Sequence, residues 1–108
     1  MTVAIARVTL FLGACHSLKE KRMVLRRLKD LVHGKFNAAI AEVGDNDLWQ
    51  RATIGLTLVG RDRSFAESAV DEVLRFIREH AEVAKEEREL QTFSGEDLLD
   101  ADFKHWEG

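Results

Sequence analysis

Five basic side chains recur at helix-surface spacing along one stretch of this sequence: Lys19, Arg22, Arg26, Lys29 and His33. At about 100° per residue they fall within an arc of roughly 80°, a single stripe beside an apolar seam. A row of cations near the free backbone N–H groups of a helix start suits a phosphate backbone. The start itself is unusual. In GACHSLKEKR, residues 13–22, Ser17 and Glu20 form a capping box, yet Lys19, Lys21 and Arg22 crowd the first turns behind it. The helix dipole already places partial positive charge at that end, so these cations expect an anion. A phosphate fits the stripe; the competing reading is a solvated Lys/Arg face.

Two further groups could do chemistry. Phe11 and Trp49 both have odd parity, which turns them away from the helices, with Arg7 and Arg51 nearby. Aromatic rings with arginines on an open sheet face suit base stacking, although no RNP aromatic pattern is present. The same rings could instead be covered by a second subunit. Cys15, His16, Asp45 and Asp47 carry thiol, imidazole and carboxylate groups, the usual metal ligands and acid–base catalysts. No CxxC or HxxxH spacing accompanies them, and Asp45-Asn46-Asp47 is ordinary turn chemistry. No Gly-rich phosphate loop, nucleophile elbow or dinucleotide fingerprint occurs. The expectation is therefore no metal, no cofactor and no catalytic residue.

The elements that must position these groups follow from periodicity. Residues 2–12 alternate, with Ala4, Ala6, Val8, Leu10 and Leu12 on one face, which is a strand. Leu18, Val24, Leu25, Leu28, Leu31 and Val32 mark a helix that Gly34 should end. Residues 36–44 and 51–60 read as strands two and three, and Ser64 with Glu67 as the capping box of a second helix. Residues 82–93 are ambiguous, since EVAKEERELQTF combines good helix formers with edge-strand polarity. The order predicts an α+β, ferredoxin-like βαββαβ sandwich, an antiparallel sheet with two helices on one face. Right-handed crossovers then bring the loop after strand one and the 45–50 hairpin to the same end.

At 108 residues the chain is one domain with a C-terminal extension: 1–93 for the sandwich, 94–108 for the extension. It is 45% hydrophobic and 32% charged, a globular composition. Arg7 interrupts the apolar N-terminus and no run could span a bilayer. One cysteine and no disulfide suggest a reducing cytoplasm. Residues 17–35 hold seven Lys/Arg against Glu20 and Asp30, whereas residues 81–108 hold three against nine acids. Without residues 94–108 (five acids, one lysine) the net charge moves from −3 to +1, so the sandwich is near neutral with a local basic patch. In the extension Leu99, Phe103 and Trp106 recur at i, i+4, i+7, an amphipathic pattern expected to dock on the open sheet face.

Three motifs, G-A-x-H-S-L-K-E-K-R (Gly13 to Arg22), F-N-x-x-x-A-E-V-G (Phe36 to Gly44) and D-L-W-Q-R-A-T-x-G (Asp47 to Gly55), occur in that order. Over about residues 3–90 the chain resembles the YlxP-like family, small bacterial proteins of unknown function. The resemblance implies a ferredoxin-like fold and a strand for the last segment. It also implies genes that often neighbour those for transcription and translation initiation factors and ribosome maturation, but no catalytic residue. From residue 94 onwards it ceases. The functional expectation is a non-enzymatic module that binds RNA or a ribosomal particle through Lys19, Arg22, Arg26, Lys29, His33 and Arg51, with Phe11 and Trp49 as stacking candidates. The alternative is a homodimeric interaction or regulatory protein whose open face, with Val3, Ile5, Phe11 and Val59, is the interface.

Overall fold

The computed structural model describes residues 1–94, and the amphipathic pattern at Leu99, Phe103 and Trp106 lies outside the described residues. The elements are β1 (Thr2–Phe11), α1 (Leu18–Lys35), β2 (Ala39–Gly44), β3 (Arg51–Gly60), α2 (Arg63–His80) and β4 (Glu82–Thr92). The four strands form one antiparallel sheet in the order β2-β3-β1-β4, the ferredoxin-like arrangement. Alternation does what it should: Ala4, Ala6, Val8 and Leu10 of β1 and Ala52, Ile54, Leu56 and Leu58 of β3 are buried. Against them pack Leu25, Leu28 and Val32 of α1 and Val70, Val73, Leu74 and Ile77 of α2. Both helices thus cover one face, and among the described residues no element covers the other.

Several boundaries differ from the sequence reading. Gly34 does not end α1, which runs on to Lys35 and closes where Phe36 turns extended and donates its N–H to the Val32 carbonyl at 2.8 Å. Strand two begins at Ala39, not at 36. The second helix is capped by Asp62, whose Oδ1 accepts the Phe65 N–H at 2.8 Å, so Ser64 and Glu67 lie inside the helix and form no cap.

The ambiguous segment is strand β4, paired with β1 along its whole length. Side chains explain why helix propensity loses. Val83 and Leu90 pack on the core, Arg88 pairs with Asp71 of α2, and Arg78 of α2 reaches Glu86 at 2.6 Å. On the open face Arg7 grips Glu87 through two hydrogen bonds of 3.1 and 3.0 Å. The far end is closed by Met1, whose ammonium donates to the Phe93 carbonyl at 3.0 Å while Phe93 N–H donates back at 2.8 Å.

Hydrogen bonds from Arg7 hold the Glu87 carboxyl below its ordinary value of 4.5. A carboxyl depressed in the folded state stabilises the fold above its unfolded value and loses that contribution as pH falls through the folded one. Glu87→Gln should therefore cost a little stability at pH 7 and nothing at a pH below the folded value. Urea midpoints of both proteins measured between pH 7 and about 2 should converge at the acid end; a constant gap would show that this pair does not set it.

Candidate nucleic-acid interface

Four side chains of α1 are buried: Lys21, Leu25, Leu28 and Val32. The stripe lies to one side of this seam, with Lys19, Arg22, Arg26 and His33 exposed and Lys29 half-buried. On the opposite side, the Lys35 ammonium sits 4.9 Å from the ring centre of Phe76 in α2. At 3.6 residues per turn this puts the stripe on the flank of α1 that faces away from α2, towards β2.

Ion pairing separates α1 from most of the rest of the surface, although Arg75 of α2 is also in no ion pair among the described residues. Arg7, Arg51, Arg78, Lys85 and Arg88 all pair with carboxylates, as do Arg61 and Arg63 beside the α2 cap. Of the Lys and Arg residues on α1, only Lys21 is in an ion pair among the described residues. Glu20 does not neutralise its neighbours. Its N–H donates to Ser17 Oγ at 3.1 Å and its Oε2 accepts the His16 N–H at 2.7 Å, so the capping box closes one residue before the cap.

Lys21 corrects the reading of the first turns. Its side chain points inward: the ammonium donates to the Asp45 carbonyl at 2.6 Å and the Leu48 carbonyl at 2.7 Å, and it lies 2.8 Å from Glu42 Oε2. Glu42 Oε2 is buried and accepts no well-aligned hydrogen bond, so it is held to Lys21 by charge. The anion awaited by this lysine is internal, a glutamate of β2 and not a phosphate. Sequence reasoning missed it although a signal was present. Lys21 lies four residues before Leu25 on the seam, where an outward-pointing lysine would not fit.

The loop after β1 and the β2–β3 hairpin do meet. Leu12 N–H donates to the Gln50 carbonyl at 2.7 Å, and Gln50 Nε2 donates to the carbonyls of Gly13 at 3.2 Å and Cys15 at 3.4 Å. His16 and Asp47 are exposed there and Cys15 is buried. The Asp45 carboxylate accepts from Thr53 Oγ1 at 2.7 Å and pairs with Arg51 Nε at 3.2 Å, while its backbone takes the left-handed conformation at φ 60° that aspartate tolerates. No group of His, Cys, Asp and Glu among the described residues could hold a metal ion. Arg51 thus belongs to the hairpin rather than to the α1 stripe.

Phe11 and Trp49 come together. They line one groove with Leu48, Gln50, Arg51 and Asp47, and are 49% and 52% exposed. Phe11 lies against Gly13, where a Cβ would come within 2.8 Å of the ring, so only glycine leaves the ring in place. Arg7 is not part of this groove; it lies mid-strand with Glu87.

Comparisons place the chain among known sequences and folds. A family model described as a protein of unknown function, DUF503, matches residues 3–89. The uncharacterized protein YlxP of Bacillus subtilis (strain 168) is 42% identical over 69 residues, covering 64% of this chain and 75% of that protein. Among solved structures, a de novo designed protein, Foldit4, superposes with a TM-score of 0.50 at 14% identity, over 86% of this chain and 98% of its own. At that identity the likeness concerns the fold alone.

The Lys21 contacts make a strong demand on stability. Lys21→Met would leave Glu42 and two carbonyls without their donor, which costs about 3–5 kcal/mol for a buried pair broken on one side. Glu42→Gln should cost less, because Lys21 keeps both carbonyls. Urea unfolding of the two variants tests this, and a Lys21→Met loss below about 1 kcal/mol would contradict the staple.

Proposed function

The chain belongs to the DUF503 family of proteins of unknown function, and from its surface we propose that it is a non-enzymatic module that binds structured RNA, ribosomal or pre-ribosomal, in the cytoplasm. One observation carries the reading: among the described residues, cations without a carboxylate partner gather on α1, and five of its basic residues form a row. A lysine or arginine left unpaired beside others of the same sign is repelled until a polyanion arrives. A phosphate backbone supplies that charge and gains entropy from released counterions. The gene setting implied by the family resemblance supports RNA over other polyanions. Because the rest of the sandwich is net negative, with eight Lys/Arg against twelve acids in residues 1–16 and 36–93, the attraction is local and orients the partner on one flank.

Reversing Arg22 and Arg26 to Glu should weaken binding of a ribosomal RNA hairpin more than tenfold. It should also flatten the salt dependence by roughly one unit of slope for each phosphate that the variant no longer engages. Both side chains are exposed, so the circular dichroism spectrum and urea midpoint should stay close to wild type. Co-sedimentation with ribosomal particles at low salt should be lost in the same variant. Unchanged affinity and slope would remove the reading.

A second reading has an observation of its own. Ile5 and Val59 are 47% and 60% exposed on the open face, near the Met1 end of the sheet. A second copy of the chain would cover them. Sedimentation at tens of micromolar, set for a subunit of 12.3 kDa, should then show a dimer that Val59→Lys dissociates. A wild-type monomer would exclude it.

A further inference from the structure

Trp49 is an exposed indole on a loop that cannot move freely. The residue before it, Leu48, has its carbonyl held by Lys21, and the residue after it, Gln50, is bonded through both side chain and backbone to the loop 12–15. Phe11 lines the same groove from the end of β1, in space that the bare backbone of Gly13 leaves open. The backbone that carries the two rings is therefore held in place, so a stacked ligand need not pay to order the loop.

What should occupy the groove follows from its attachment. Lys21, which holds Leu48, sits in the first turns of α1 between Lys19 and Arg22, the head of the basic stripe. The aromatic loop and the cation row are thus joined by one side chain at one end of the sheet. The groove is lined by one arginine, Arg51, already shared with Asp45, and by one acid, Asp47. An aliphatic protein side chain would fill the groove but make no use of the cations at the head of α1. A nucleobase brings a flat π-face for the rings and a phosphate for Lys19 and Arg22 in the same ligand.

Resting on the RNA reading above, we propose that the Phe11–Trp49 groove is a nucleobase-stacking subsite. The RNA held on α1 would then carry an unpaired nucleotide at the head of its helix, which leaves the duplex and stacks there. The preferred ligand is a junction of double and single strand, not a plain duplex.

The test uses one RNA hairpin in two forms, blunt and with a three-nucleotide single-stranded 3′ extension. The full chain should bind the extended form about 5- to 150-fold more tightly for each base stacked. In a Trp106→Phe background, which leaves Trp49 as the reporter, indole fluorescence should be quenched by the extended RNA and not by the blunt one. Trp49→Ala should erase the preference while keeping the affinity for the blunt hairpin, and Trp49→Leu, which keeps apolar surface without the ring system, should erase it too. The Arg22→Glu/Arg26→Glu protein should lose affinity for both RNAs alike. Equal wild-type affinity for the two forms, or a preference that survives in Trp49→Leu, overturns the subsite and leaves the basic stripe standing. Failure of the wild type to bind either RNA overturns both.

Discussion

One buried ammonium governs the end of this protein where α1 meets the β2–β3 hairpin. Lys21 lies on the side of α1 that should be apolar, and it is tolerated because three acceptors converge on it: two hairpin carbonyls and the Glu42 carboxylate. Hydrocarbon at this position would pack well enough, but it would leave the hairpin unattached to the helix. The ion pair therefore contributes less as stabilisation than as registration. It sets how far the first turn of α1 stands from residues 45–48, and hence how the stripe and the aromatic groove stand to one another.

A division of labour among the charges follows. Across the sheet and α2 most arginines pair with carboxylates, and such pairs tie down β4 on both of its faces. These contacts convert a segment of helix-forming residues into an edge strand whose charges also discourage pairing with a neighbour's edge. On α1 the pattern is reversed. The one acid in the first turn accepts a bond from His16 before the cap, and Lys19 and Arg22 beside it are in no ion pair among the described residues.

Much of this was legible in the chain, and what was hidden was hidden for physical reasons. Strand β3 could be read from alternation because half of its side chains face the core. The stripe could be read because exposed residues three and four apart must share a flank. The start of β2 could not, since residues 36–38 leave α1 without joining the ladder. The cap of α2 was misplaced by two residues because Asp62 and Ser64 are both good cap types, and only backbone geometry chooses between them. Strand β4 depended on Asp71, Arg78 and Arg7, all distant in sequence. Lys21 was disguised by its own type: its position pointed inward, its charge pointed outward, and the deciding partner was a glutamate twenty-one residues away.

The pairing of Met1 with Phe93 closes the sandwich almost into a ring. Strand β1 separates that corner from the aromatic groove by nine residue steps, about 30 Å. Fluorophores, affinity tags or fusion partners joined at Met1 or directly after Phe93 would accordingly issue from one shared corner, remote from both Trp49 and the head of α1. The same adjacency makes circular permutation of the sandwich feasible: a short peptide could bridge those two residues, and a new opening could be cut elsewhere without disturbing the proposed binding surface.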